Sequence, residues 1–395
     1  MRISPLRKLQ QQAEASLTHY GAPEADIRVV ETFGDLELEY AALRKACILV
    51  DQPQRGVIEA TGSERIDFLN RMVTQELKGL LPYHCRRSFW LNRKGRIDAD
   101  LKLVELPGRT LLEVDIHALR RTLDGLGAFI ITEDVQLKDA GEALHRFALH
   151  GPTAIPLLQA VSLPLEGASL SDLRPGQATI VTIADQPVVV DRDDSTGEVG
   201  LELTVPGEAA LAIYTQLIET GQEHNGNGGH GTASRFRLRP AGWHAYNIAR
   251  IEAGTPLYNI DFGPSSLPHE SGIIRDRVSF TKGCYLGQEV VARMESRGHS
   301  KGRVVGLRFT DTTMADGQTR LPVAGAHVWS AAAPDADPIG SITSSTLSPM
   351  LGAEPIAFAM VKHDFVTPGS SLLVTADDQR IPATVQPGLT FWKRA

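Results

Sequence analysis

Ser88-Phe89-Trp90-Leu91-Asn92-Arg93-Lys94-Gly95-Arg96-Ile97-Asp98-Ala99-Asp100-Leu101-Lys102-Leu103 reads as two β-prone runs around a polar turn that ends in glycine. That pattern predicts a hairpin, with strands at Ser88–Leu91 and Ile97–Glu105. Side chains alternate along a strand, so Ile97, Leu101 and Leu103 share one face. Asp98, Asp100 and Lys102 share the other. Two carboxylates roughly 6.6 Å apart along one strand could stabilise a cationic intermediate. Solvated charges on an exposed hairpin face give the same pattern.

Outward from this hairpin the chain alternates helices with short strands. Asp35 is placed to cap a helix whose apolar side includes Leu36, Tyr40, Leu43 and Cys47. Gly56–Thr61 reads as a strand. Ser63 is placed to cap a helix carrying Ile66, Leu69, Met72, Val73 and Leu77. Leu119, Leu123 and Leu126 mark another helix. Strands follow at His145–His150, Ala178–Ile183, Val188–Val190 and Leu201–Val205, then a helix at Glu208–Glu219. Met1–Tyr20 reads as a helical arm. The segment 221–234 is Gly-rich and polar and is expected to be a flexible loop, with His224 and His230 as weak metal-ligand candidates. From Arg303 onward, short apolar runs alternate with turns at Val304–Phe309, His327–Ser330, Ile339–Thr343, Ile356–Val361, Leu372–Thr375 and Ile381–Val385. That spacing suggests a small antiparallel barrel or sandwich. The fold class is therefore α+β followed by all-β.

Composition narrows the function. The 395 residues are 42% hydrophobic and 22% charged, which is ordinary globular usage. A net charge of -7 argues against a nucleic-acid protein with a basic surface. No apolar stretch approaches the ~20 residues a bilayer crossing needs, so no membrane partner is expected. Three cysteines without close spacing suit a reducing cytoplasm, with the mitochondrial matrix as the alternative. No dinucleotide fingerprint, P-loop, HExxH or GxSxG is present.

Two further segments could carry chemistry. Ser195-Thr196-Gly197-Glu198-Val199-Gly200-Leu201-Glu202-Leu203-Thr204-Val205 puts Glu198, Gly200, Glu202 and Thr204 on one strand face. The glycines let another group approach closely. A carboxylate there could accept two N–H donors from a flat heterocycle, although Glu198 and Glu202, roughly 13 Å apart, would not grip one ring edge. The other segment is Lys282-Gly283-Cys284-Tyr285-Leu286-Gly287-Gln288-Glu289. A lysine and a following helix N-terminus would both favour a thiolate at Cys284.

Together these segments resemble the folate-binding superfamily around the glycine cleavage T-protein (aminomethyltransferase). The Lys282–Glu289 run looks like the signature of its YgfZ-type branch, folate-binding proteins implicated in making or repairing iron–sulfur enzymes. Arg250-Ile251-Glu252-Ala253-Gly254 with Tyr258 and Asp261, and Leu267-Pro268-His269-Glu270-Ser271-Gly272, resemble segments of both branches. The resemblance implies a three-lobed folate-binding fold with antiparallel sheets and a C-terminal β-barrel, divided as residues 1–298 and 299–395. It implies tetrahydrofolate as cofactor, with Asp100 and Cys284 as catalytic candidates. Glu202 would grip the pterin, and Tyr246, Asp98, Glu198, Arg250, Lys282, Tyr285 and Gln288 would line the folate. Two departures from the T-protein pattern are Ser195, where a Tyr opens the motif, and Tyr246, where an Arg contacts folate. The first expectation is therefore a tetrahydrofolate-binding protein that supports iron–sulfur client proteins. The alternative is an aminomethyltransferase working with a lipoyl carrier protein in one-carbon metabolism. A third is a non-catalytic module that kept the fold and lost the ligand.

Overall fold

The computed structural model describes residues 4–222, 236–314 and 317–394. The segment expected to be a flexible loop, with His224 and His230, lies outside the described residues from residue 223 on. The chain forms two compact units. One comprises Met1–Phe68, Leu77–Arg86 and Lys102–Asn247, the other Leu69–Glu76, Arg87–Leu101 and Ile248–Ala395.

The first unit is built on a seven-stranded sheet. Its order is Leu163–Gly167, Ala178–Ile183, Gln186–Arg192, Gly200–Pro206, Leu144–His150, Cys47–Asp51 and Leu238–Ala241. Neighbours run antiparallel except the last pair, where Leu238–Ala241 lies parallel to Cys47–Asp51. The sheet is therefore mixed, where antiparallel sheets were expected. A parallel neighbour needs a long crossover, and a four-residue strand containing Pro240 offers no readable alternation.

Alternation along the central strands separates two faces. Phe147 and Leu149, Leu201 and Leu203, and Val188 and Val190 pack against Leu157, Leu158, Ile213 and Leu217 of the helices Ala154–Val161 and Ala210–Gly221. The opposite positions carry Arg146 and His150, Glu202 and Thr204, and Asp191. The register sets Thr204 beside Arg146, Gly200 beside His150, and Asp191 beside Glu202. Within the same unit, Lys102 pairs across from Glu113 and Arg55 from Asp115. Val57, Val104, Leu106 and Leu111 meet Ala178 and Val189 in a small apolar cluster. A buried polar layer thus adjoins an apolar one.

Local signals explain the helices. Asp35 Oδ1 accepts from the Leu38 amide at 2.9 Å and caps Leu36–Lys45, with Arg44 and Lys45 in its last turn. Asp115 caps Ile116–Gly127 in the same manner, accepting from the His117 amide at 2.9 Å. Cys47 begins a strand rather than extending the first helix. Ser63 does not cap its helix: its hydroxyl donates to Asp134 at 2.7 Å. The helical arm at the N-terminus shortens to Arg7–Gln12, and a hairpin of Ser16–His19 with Arg28–Thr32 follows.

The second unit contains a closed six-stranded barrel. Its order is Gly302–Phe309, Glu354–Lys362, Gly340–Ser348, His327–Ser330, Ser371–Ala376 and Gln379–Val385. Val305, Leu307, Ile342, Ala359, Val374 and Ile381 are among the residues filling it. Closure leaves no sheet edge, and each of the six predicted runs becomes one stave. In the same unit, Gly95 closes the hairpin turn at φ +72°. A Cβ there would lie 2.7 Å from Val290 Cβ. Gly287, at φ +80°, ends the Lys282 segment beside the Asn92 carbonyl, where a Cβ would come within 2.8 Å. Both positions need left-handed backbone and close approach, which glycine alone supplies without strain.

Candidate functional site

The polar layer of the first unit surrounds Glu202, which is 5% exposed. Its Oε2 accepts from Arg146 at 3.2 Å. Its Oε1 lies 3.9 Å from His150 Nε2. Arg146 also donates to Thr204 Oγ1 at 2.7 Å and meets Glu113 at 2.8 Å and Asp191 at 3.8 Å. Lys102 Nζ lies 2.5 Å from Asp191, 3.0 Å from Glu113 and 3.5 Å from Asp193. Two basic groups thus face several acidic ones inside the protein. Burial pushes the Asp191 carboxyl above its ordinary range, against the opposing pull of Lys102 and Arg146. Burial likewise pushes His150 down to about 4, so its imidazole is neutral at pH 7. His150 Nδ1 lies 3.5 Å from the Thr196 hydroxyl. Its Nε2 has no hydrogen-bond partner among the described residues.

The glycine expected to permit close approach does so at Gly200. A Cβ there would sit 2.1 Å from the Asp193 carbonyl oxygen and 2.8 Å from His150 Nδ1. Glu198 precedes the strand and turns elsewhere. It pairs with Arg44 at 3.6 Å, and both side chains are buried. Tyr246 places its ring 5.5 Å from the His150 ring and 5.8 Å from Trp243.

The second unit holds the other candidates. Arg277 grips Asp100 with Nε at 2.8 Å and Nη2 at 3.4 Å. Such a two-point contact fixes both the charge and the plane of the carboxylate. Asp98 accepts from Asn92 Nδ2 at 3.1 Å, and its backbone carbonyl accepts from the Tyr258 hydroxyl at 2.8 Å. Arg250 is fully buried. It pairs with Asp261 at 2.6 Å and donates to Ser344 and to the Thr255 carbonyl. These contacts tie Arg250 to the barrel strand Gly340–Ser348.

Lys282 is also turned inward. Its ammonium donates to the carbonyls of Asn70, Val73 and Gln75 at 2.6, 2.9 and 2.9 Å. An ammonium has three donors, so these are committed to protein. Burial pulls Lys282 down to about 8. The Tyr285 ring lies 5.5 Å from the same nitrogen, and burial raises its hydroxyl to about 12. The cation expected beside the Cys284 thiol is thus held by backbone carbonyls. The helix begins only at Gln288, with Gly287 as its cap. Cys284 itself is exposed. Among the described residues no three His, Cys, Asp or Glu side chains gather as a metal site, and no helix is long and apolar enough to cross a membrane.

Sequence reasoning singled out Glu202 and Asp100 but missed Arg146, His150, Asp191 and Arg277. The first three alternate with core residues along strands, and that alternation was their readable signal. Arg277 lies 177 residues from its partner, with no local signal.

A mixed sheet bearing an inward glutamate, with a closed barrel in the second unit, defines a class that known proteins share. The chain matches the GCVT N-terminal domain family over residues 18–282 and the Glycine cleavage T-protein C-terminal barrel domain family over residues 298–391. It belongs to the glycine cleavage T-protein family. An aminomethyltransferase of Cutibacterium acnes is 28% identical over 401 residues, covering 100% of this chain and 99% of its own. One from Geobacillus kaustophilus is 26% identical over 398 residues, covering 100% of both chains. The solved structure of the glycine cleavage system aminomethyltransferase T from Bartonella henselae has a TM-score of 0.82 at 22% identity, covering 100% of this chain and 99% of that one. That likeness speaks for the fold. The curated relatives carry the name that sequence analysis held as its alternative.

Proposed function

We propose that this chain binds tetrahydrofolate at Glu202 and acts as an aminomethyltransferase, with residues 1–298 as the folate-binding core and 299–395 as a barrel module. Glu202 carries the reading. It holds the position that the resemblance gives to the pterin-gripping carboxylate. A pterin edge offers an amino group and a ring N–H, and a carboxylate accepts both. Arg146 occupies one lone pair of Oε2 and leaves Oε1 to a ligand. The unpartnered His150 Nε2 beside it is polar capacity that the protein does not fill. When bound, tetrahydrofolate supplies the acceptor for the one-carbon unit. The relatives named aminomethyltransferase support this over the full length of the chain.

In the second unit, Asp100 is proposed as the catalytic carboxylate. Arg277 fixes it, so its negative charge is preorganised for a cationic reacting carbon. The test is production of methylene-tetrahydrofolate from an aminomethyl-lipoyl carrier protein. Turnover with the authentic carrier is expected, and Asp100→Asn should reduce kcat by about 10²-fold or more. Absence of turnover by the native protein refutes the transferase reading.

A second reading rests on the Lys282–Glu289 run and the exposed Cys284. Under it the protein is YgfZ-type, works in the reducing cytoplasm and supports iron–sulfur client proteins. Folate binding then persists without turnover. Cys284→Ala fails to restore iron–sulfur enzyme activity in a host lacking its own copy, whereas full restoration by that variant sinks the role.

A further inference from the structure

His150 is fully buried, and its Nε2 has no hydrogen-bond partner among the described residues while it faces the Glu202 carboxylate. Its Nε2 lies 3.9 Å from Glu202 Oε1. That is too long for a hydrogen bond between them. It suits two side-by-side bonds to neighbouring atoms of a third partner. Thr196 faces the other ring nitrogen at 3.5 Å, and its hydroxyl can donate there. A Thr196 hydroxyl donating there puts the ring proton on Nε2, which makes Nε2 a donor beside Glu202 Oε1, an acceptor. The imidazole is neutral, because burial holds it at about 4. Such a pair complements a ring edge that presents a carbonyl next to an N–H.

We propose that His150 and Glu202 together read the cyclic amide edge of a heterocycle, His150 Nε2–H donating to the ring carbonyl while Glu202 accepts the adjacent N–H. This rests on the folate reading above and deepens it, since it selects 4-oxo pteridines against 4-amino pteridines. A 4-amino group turns an N–H donor toward the imidazole N–H, and the neighbouring ring nitrogen, now without a proton, turns a lone pair toward Glu202, so both buried groups lose their partner. Loss of one such bond costs roughly a factor of 10 to 100.

The experiment is calorimetric titration of the full chain with tetrahydrofolate and with its 4-amino counterpart, for the native protein, His150→Phe and His150→Gln. The native protein is expected to favour the 4-oxo ligand by at least about tenfold. His150→Phe should shrink the preference without abolishing it, since Glu202 still meets a ring N–H in the 4-oxo ligand alone, and His150→Gln, whose amide can still donate, should restore part of what is lost. A general structural defect would weaken both ligands alike and leave their ratio unchanged. Equal native affinity for the two ligands, or an unchanged ratio in a folded His150→Phe protein, overturns the role of His150 and leaves the folate reading standing. Failure of the native protein to bind either ligand overturns both.

Discussion

Replacing Arg146 by Met tests the charged layer around Glu202. Arg146 is fully buried and meets Glu113 at 2.8 Å, Glu202 at 3.2 Å and Asp191 at 3.8 Å. Met fills much of the volume but removes the cation, leaving Lys102 against Asp191 and Lys102 with Arg55 against Glu113. Breaking a buried ion network by deleting one partner costs about 3–5 kcal/mol, because the abandoned charges stay buried. At roughly 2–4 °C per kcal/mol for a unit of this size, the melting temperature should fall by about 6–20 °C. The pH dependence supplies a second handle. Asp191 already sits above the ordinary carboxylate range through burial, with Arg146 among the groups that oppose the rise. Without Arg146 its folded-state value rises further above the unfolded one. A carboxyl raised in the folded state binds more protons there than in the unfolded chain, so its contribution to stability is lost as pH rises. The deficit of Arg146→Met should therefore be larger at pH 8 than at pH 5. Thermal melts of both proteins at the two pH values give the answer. A fall of less than about 2 °C, or a deficit equal at both pH values, refutes this account of the layer.

Lys282 should make stability pH-dependent in the opposite sense. Its folded-state value of about 8 lies below the ordinary lysine value of 10.5, so between these the unfolded chain holds a proton that the folded one has lost. Stability should rise as pH climbs from 8 to 10.5, and Lys282→Met should abolish that slope in denaturant titrations. Gly95→Ala should cost about 1–3 kcal/mol, since it forces a Cβ into left-handed backbone 2.7 Å from Val290. Chemical denaturation measures it, and a loss below about 0.5 kcal/mol contradicts the packing described.

The sequence shows where the fold is legible and where it is not. The barrel strands are short, alternating and separated by turns, and His327–Ser330 and Ala178–Ile183 match their expected bounds residue for residue. Cys47–Asp51 escaped because all five residues are buried, which erases alternation. Charge misled the reading of Lys102. A lysine on a hairpin face reads as solvated, yet it is 2% exposed and neutralised by acids from other strands. Glu198 and Glu202 looked alike in the sequence. They separate because Glu198 falls before the strand and meets Arg44, while Glu202 lies within it and meets Arg146. Long-range partners, not local propensity, decide what each charge does.

The central claim is that Glu202 anchors a folate. Calorimetric titration of the native protein and Glu202→Ala with tetrahydrofolate tests it most directly. Saturable binding by the native protein that disappears in a folded Glu202→Ala variant is the predicted result. No binding to the native protein at millimolar ligand, or binding unchanged by the substitution, would contradict it.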